Sequence, residues 1–467
     1  MMKISNLSSQ SIQQLINNKK DGIVLGQNDF SFFISTLLKK NQPWAIGSFV
    51  STLDLKGLNV DECVAFINAI HATIKSDFAN WDGIDNKSAK NLVLDYLNIN
   101  EMGDSLPLIL GPILQEFNLK FHYIYASVPY GFNGTLFDKL ETIGVTGEIP
   151  YIKKSILSDP QNQLIYQKVN HLMPVFASLM QLLNDCACQN ITLYLCVSLA
   201  LKFWANNHVL IVNLKFGNCA YIKNINEAKK VSQLVIDIAN KFNKKVIVLL
   251  SSSDNVLDRY IGSALEIKKV TDFFSNYKDW TIYTKLIKKI VSEILYRLNI
   301  NINKQAIEDQ VEQVLADKKA LIAFQRLVVK QKGYDLIKFN NFRINKYFVP
   351  KYKTNITASQ DGFIEFSDYN QLYHLCEQLR IYKTQSQKLD SQAGIQFNKL
   401  GGDQVKKDDL IATIYSSQKI NKEIINTFTD NIKYYDKREQ FTIKNYLQDV
   451  NDNLNLIKVN RELKNKE

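Results

Sequence analysis

Apolar residues recur at helical spacing early in the chain, with Phe30, Phe33, Ile34 and Leu37 on one stripe and Cys63, Phe66, Ile67 and Ile70 on another. Such spacing puts each set on one face of an α-helix. Asn59 and Asp61 precede the second stripe, and either suits a helix cap. After Asn86 the pattern changes to short β-rich runs separated by helical segments: NLVLDY at 91–96, FHYIYA at 121–126, HVLIVNL at 208–214 and KKVIVLL at 244–250. This alternation predicts a mostly parallel sheet covered by helices. Between the second and third runs, 161–203 reads as a long helical insertion, of the kind that builds a separate lobe.

From Asn355 onward the chain reads as a small α+β domain. DGFIEF at 361–366 is a strand, SDYNQLYHLCEQL a helix, and KLGGDQVKKDDLIATIY at 399–415 a β-hairpin around a Gly-Gly-Asp turn. A last helical stripe, Ile443, Tyr446, Leu447, Val450, Leu454 and Ile457, either packs on the body or awaits a protein partner.

With 467 residues, 46% of them apolar, the chain is long enough for two or three domains with cores of their own. The net charge of +11 permits acidic partners. Its lysines are scattered through an Asn- and Ile-rich background, which argues against a nucleic-acid role. The six cysteines form no C-x-x-C pair and sit mostly in apolar stretches, as free thiols of a reducing cytoplasm do. Cys186 and Cys188 have no nearby His or Cys to complete a metal site, so no metal is assigned. The N-terminus, MMKISNLSSQSIQQL, is polar where a signal peptide needs an apolar block, so a cytoplasmic location is expected. The greasiest segment, Ile191–Trp204, falls short of the roughly 20 residues a membrane span requires and carries Lys202. It reads as a buried helix.

Several segments, in order, resemble the thymidine and pyrimidine-nucleoside phosphorylase family. Residues 28–75 are similar to its opening helices, GDSLPLILGPILQEF (103–117) to the helix after its phosphate loop, and NGTLFDKLETI (133–143) to its Gly-Gly-Thr-Leu-Asp-Lys-Leu-Glu segment. IVNLKFGNCAYIK (211–223) and VLDRYIGSALEIKKV (256–270) resemble the next strand and the Ile-Gly-Asn-Ala-Leu-Glu-Val helix, and KLDSQAGIQFNKLGGDQVKKDDLIATIYS (388–416) resembles the C-terminal segment. The resemblance spans roughly 12–440 and implies an α/β fold with a separate all-helical lobe and a C-terminal α+β domain, the type II nucleoside phosphorylase plan. The expected division is a helical lobe from 1–80 and 161–203, an α/β domain from 81–160 and 204–345, a C-terminal domain over 346–435 and a helical tail over 436–467. A homodimer joined through the helical lobes is implied, as is reversible phosphorolysis of thymidine or uridine to base and sugar 1-phosphate. The related anthranilate phosphoribosyltransferase plan is disfavoured by the C-terminal segment and by the lack of a Gly-Thr-Gly-Gly-Asp loop.

The chemistry departs from that resemblance. A phosphate cradle needs small residues, helix N-terminal N–H groups and cations or hydroxyls. Where the family has Asp-Lys-His-Ser-Thr-Gly-Gly-Val-Gly-Asp, this chain has Asp95-Tyr96-Leu97-Asn98-Ile99-Asn100-Glu101-Met102-Gly103-Asp104. Asp95, Gly103 and Asp104 match, and Ser105 follows. A carboxylate at Glu101 repels a dianion, and β-branched Ile99 resists unusual backbone angles. In the second phosphate segment Ser127, Gly134 and Thr135 remain as remnants, but the family's arginine does not. For the nucleoside, Val169 falls at the arginine position with Lys168 beside it, and Val197 and Leu201 fall at the positions of a Ser-x-x-x-Lys, with Lys202 adjacent. Lys168 and Lys202 are therefore the nucleoside-cleft candidates. The family's monovalent-cation site places Leu257 and Tyr260 at carbonyl positions and Lys269 at a glutamate, so the lysine would stand in for the ion.

His71, His122, His171, His208 and His374 offer no evident replacement base, and Ser251-Ser252-Ser253 reads as a polar loop and helix cap. If each lost charge-assisted hydrogen bond costs about 1.5–3 kcal/mol, four cost on the order of 6–12 kcal/mol, or about four to nine decades. The missing histidine removes about two to four more. The expectation is a catalytically impaired or inactive relative, with no catalytic residue and no cofactor assigned, working through protein contacts. The alternative is an active enzyme with a remodelled cleft and phosphate as co-substrate.

Overall fold

The computed structural model describes residues 11–74, 92–99, 105–125, 135–147, 164–168, 173–205, 207–217, 220–252, 259–298, 300, 303–331, 348–379, 389–436 and 458–459. Four helices open it: α1 (Ile12–Lys20), α2 (Gln27–Leu38), α3 (Pro43–Lys56) and α4 (Val60–His71). The α/β section follows with β1 (Val93–Ile99), α5 (Leu106–Gln115), β2 (Lys120–Tyr125), α6 (Leu136–Glu141) and β3 (Leu164–Lys168). After the interruption by α7 (Pro174–Asp185) and α8 (Ile191–Trp204) it resumes as β4 (Val209–Phe216), α9 (Ile225–Lys241), β5 (Lys245–Ser252), β6 (Tyr260–Ile261), α10 (Ser263–Ser275), α11 (Thr281–Arg297), α12 (Lys304–Ala316) and α13 (Lys319–Lys330). The C-terminal part holds β7 (Tyr352–Thr357), β8 (Gly362–Phe366), α14 (Tyr369–Gln378), β9 (Gly394–Phe397), β10 (Gln404–Val405), β11 (Leu410–Ser416), α15 (Lys422–Asp430) and β12 (Ile432–Tyr435), with β13 (Lys458–Val459) beyond.

The main sheet has the order β13-β5-β4-β1-β2-β3 and is parallel except for β13. Its alternate residues feed two cores, as a parallel sheet buried on both faces requires. Leu97, Leu210 and Val248 join Phe30, Phe33, Phe49 and Phe66 of the opening helices and Phe176 and Leu195 of α7 and α8. Leu94, Tyr96, Ile211 and Leu249 face Ile109, Phe137, Phe273 and Ile290 on the other side. Helices from before β1 and from between β3 and β4 thus share one core on this face of the sheet. Asp54 Oδ1 accepts the Gln189 and Asn190 N–H groups at 2.8 and 2.7 Å, which ties α3 to the start of α8. Of the two expected caps, Asn59 serves: it forms a capping box with Glu62, whose carboxylate also takes the buried Lys19 ammonium at 2.6 Å.

Three sequence expectations need correction. The span read as helical from 161 opens with the strand β3, paired with β2 from Phe121↔Leu164 to Tyr125↔Lys168, and the helices begin only at Pro174. The run LIYQK is short and apolar, and its partner lies some forty residues away, so helical periodicity was the wrong guide. The segment 399–415 is not a hairpin: β10 pairs with β8, whereas β11 pairs with β7 and β9. Its turn carries the chain from one sheet to another around a shared core of Ile364, Phe366, Phe397 and Ile414. In the tail, the stripe 443–457 lies outside the described residues, and Lys458–Val459 is a strand rather than helix, antiparallel to β5 at Val248 and Ile247.

The C-terminal domain joins the α/β section through β6, which pairs with β9 at Tyr260↔Gln396 and Ile261↔Ile395. The joint needs a glycine. Gly262 has φ +128°, and a Cβ there would lie 2.4 Å from the Ala393 carbonyl oxygen. Gly262→Ala should therefore lower the thermal unfolding midpoint, with about 1–3 kcal/mol from backbone strain alone. An unchanged midpoint would refute a close-packed joint.

Candidate functional site

Strands β1, β2 and β3 fill the sheet to one side of β1 and β4 and β5 to the other, so the order of connection reverses between β1 and β4. Ligands of open α/β sheets bind outside the carboxyl ends of the strands at such a point. Here those ends carry Tyr96 and Asn98 on β1, Asn213 and Lys215 on β4 and Ser251 on β5.

Tyr96 is fully buried, and its hydroxyl accepts a hydrogen bond from Asn213 Nδ2 at 2.9 Å. Asn213 Oδ1 in turn accepts from Ser251 Oγ at 2.6 Å. This chain of polar groups crosses three strands beneath the reversal point. Ser251 belongs to β5 and not to the loop and cap expected of it. Asn213 was missed, although a signal existed: an amide inside the apolar run HVLIVNL must find a partner if the strand is buried.

In the last turn of α8, Lys202 is also fully buried. Its Nζ donates to Asp95 Oδ1 at 2.8 Å and to the Ile124 carbonyl at 2.6 Å, and lies 4.4 Å from the centroid of the Tyr123 ring. Burial pushes the Asp95 carboxyl above the usual carboxylate range and the Lys202 ammonium below its own, while each charge partly holds the other in place. Val197 and Leu201, at the positions of the expected serine and lysine, are closed into the helical core. The second lysine candidate is elsewhere: Lys168 ends β3 and pairs with Glu141 at 3.1 Å near the surface. One candidate is sealed in the core and the other is held at the edge of the sheet.

The phosphate remnants divide. Gly103, Asp104, Ser127 and Gly134 lie outside the described residues, as does Leu257, against which the Lys269 expectation was framed. Thr135 caps α6: its Oγ1 accepts the Asp138 N–H at 3.2 Å and its own N–H donates to Asp138 Oδ2 at 2.8 Å. Ser105 precedes α5, is 1% exposed, and its Oγ has no hydrogen-bond partner among the described residues. Lys269 is buried with its Nζ 4.2 Å from the Tyr283 ring centroid; burial holds the Glu266 carboxyl above the usual carboxylate range, against the opposing charges of Lys139 and Lys269. Glu266 itself pairs with Lys139 at 2.6 Å.

The histidines are spent on structure where they are described. His71 Nε2 lies 2.7 Å from the Ala200 carbonyl, and His208 Nδ1 accepts the Val93 N–H at 2.9 Å. Burial lowers both imidazoles below their ordinary value. His122 is buried in β2, His374 is an exposed partner of Glu377, and His171 lies outside the described residues.

Comparison with known proteins adds the lineage. Residues 383–435 match the model of the pyrimidine nucleoside phosphorylase C-terminal domain. Thymidine phosphorylase of Mycoplasmoides pirum is 28% identical over 420 residues, covering 89% of this chain and 97% of that protein. Pyrimidine-nucleoside phosphorylase of Geobacillus stearothermophilus is 23% identical over 424 residues, 90% of this chain and 95% of that one. These matches support the likeness to the thymidine and pyrimidine-nucleoside phosphorylases that the sequence carries along most of its length. Among solved structures, anthranilate phosphoribosyltransferase from Thermus thermophilus superposes with a TM-score of 0.49 at 10% identity, over 68% of this chain and 99% of that one.

Within this phosphorylase relative, the motif residues that carried the resemblance hold the architecture. Lys139 and Glu266 join α6 to α10, Gly262 lets β6 meet the C-terminal domain, and Asp390 accepts from the Ser417 N–H and Oγ at 2.8 and 2.7 Å. The two tyrosine and lysine positions can be told apart by stability. Tyr96→Phe strands the Asn213 amide and should cost about 1–3 kcal/mol in urea unfolding. Lys168→Ala, at a partly exposed pair, should stay within about 1 kcal/mol of wild type. The reverse order would contradict the placement of both.

Proposed function

We propose that this chain is a catalytically impaired or inactive member of the family that works in the cytoplasm through protein contacts, as a dimeric structural or assembly subunit. The observation that carries this reading is the fate of the cation in the phosphate loop. Its position is Tyr96, a buried phenol engaged by Asn213, and the nearby Lys202 has its charge committed to Asp95. A dianion brought to this floor meets no free cation among the described residues, and an anion without donors or counter-charge is costly to desolvate. The expected result is a folded protein that releases neither thymine nor uracil from thymidine or uridine in the presence of phosphate. Turnover that disappears on phosphate depletion would overturn the reading.

One feature favours the alternative of a remodelled, active pyrimidine-nucleoside phosphorylase. Ser105 Oγ is buried, has no partner among the described residues, and stands at the N-terminus of α5, where an anion would find N–H groups. Thermal-shift measurements with phosphate, thymidine, uridine and ribose 1-phosphate separate the two, because a ligand bound by the native state raises its unfolding midpoint.

The helical lobe supplies the face for the proposed homodimer. Trp44 and Leu55 on α3 are 89% and 85% exposed and stand about three turns apart, with exposed Ser48 and Ser51 between them on the same side. An aromatic and an aliphatic side chain flanking small residues make a flat surface suited to a second copy of itself. Replacing Trp44→Lys and Leu55→Glu together should shift the sedimentation coefficient from dimer to monomer with the unfolding midpoint kept. A dimer that survives both changes would place the interface elsewhere.

A further inference from the structure

We propose that Lys202 is a positioning residue: the fixed joint at which the helical lobe is registered on the α/β sheet. The inference is independent of whether the chain turns over nucleoside. Its basis is the direction of the contacts. Most of the other contact between lobe and sheet is a continuous apolar core that includes Leu97, Ile124, Leu210 and Val212 together with Phe176, Leu195 and Leu199. Apolar burial is non-directional, so a core of this kind resists separation far better than it resists a small sliding or rocking of one layer over the other. Lys202 is different. A single ammonium, carried by α8, is held by a carboxylate from β1, a carbonyl from β2 and the ring of Tyr123, all within hydrogen-bond or cation–π reach. Three bearings on two strands fix one point of the lobe against the sheet.

Neighbouring groups brace the same turn of α8. Asn207 Nδ2 donates to the Lys202 carbonyl at 2.8 Å, His71 Nε2 lies 2.7 Å from the Ala200 carbonyl, and the Tyr125 hydroxyl lies 3.4 Å from Ser198 Oγ. Tyr125 also meets Phe176 of α7 edge-on at 5.6 Å. The helix end that carries the ammonium therefore cannot turn independently of the lobe.

The energetics say that the joint is not there for stability. Both charges are fully buried, and Asp95 Oδ2 has no hydrogen-bond partner among the described residues, so the pair is incompletely satisfied by them. Replacing such a pair with apolar residues of similar size is commonly neutral or stabilising, whereas removing one partner leaves a stranded charge. What an ion pair supplies here that leucine and methionine would not is register.

That difference gives the test. Lys202→Met and the double variant Asp95→Leu with Lys202→Met are compared with wild type as the full chain. Spin labels are introduced as unnatural amino acids at the exposed positions Asn28 on α2 of the helical lobe and Lys319 on α13 of the α/β section. The single variant should unfold at a lower temperature. The double variant should recover a midpoint at or above that of wild type while its inter-label distance distribution broadens at least about two-fold, a change that a purely stabilising pair would not produce. A double variant as narrowly distributed as wild type overturns the proposal, as does one that stays as unstable as the single replacement.

Discussion

Strand β1 has no face to spare. Leu94 and Tyr96 point into one core and Asp95 and Leu97 into the other, and both neighbouring strands are parallel partners, so every side chain from 94 to 97 must be solved by packing. Any group placed there is either apolar or provided with partners from an adjacent element, because an unpaired polar atom in such a position costs about 1–3 kcal/mol. The rest of the site follows from this. Asp95 draws a lysine out of α8, and Tyr96 draws an amide out of β4, which draws a hydroxyl out of β5. The side chains of three strands and a helix are committed to one another before any ligand arrives.

This commitment explains how a family resemblance can persist while a cradle changes. The shared residues that are now seen in place act at joints: Lys139 with Glu266, Gly262 against Ala393, Asp390 around the turn at Ser417. Each is buried or closely packed, so its loss would be felt in folding whatever the chain catalyses. Residues that only touch phosphate or base carry no such penalty. Tyr96, where the resemblance would place a lysine, is a large buried ring with a satisfied hydroxyl, a residue that folding accepts at this position.

The sequence made the architecture legible wherever burial repeats locally. The stripes through Phe33 and Phe66 and the runs at 121–126, 208–214 and 244–250 each report their own environment, and each became the element expected. What depended on partners at a distance was illegible. The strand β3 is five residues long and recognisable only beside β2, and the pairing of β10 and β11 with different sheets follows from contacts with β8, β7 and β9 that no local pattern encodes. The site shows the same division. That Lys202 is buried could be read from ITLYLCVSLALKFW, a helix apolar all round and hence enclosed. That its partner is Asp95 required the fold.

The handling of the sheet edges bears on how the chain can assemble. An open strand edge invites pairing with another chain. On β3 the outer edge is met by the Gln331 side chain, whose Oε1 accepts the Tyr166 N–H at 3.0 Å and whose Nε2 donates to the Tyr166 carbonyl at 2.7 Å, the two bonds a neighbouring strand would make. On β5 the outer edge is met by Lys458–Val459. Direct pairing of β3 or β5 with a second copy would first have to displace these groups. A helical face such as that of α3, whose backbone groups are already paired along the helix, can be covered by a second copy at no such cost. The same economy of hydrogen bonds that joins Tyr96, Asn213 and Ser251 across the sheet thus also satisfies the outer edges of β3 and β5.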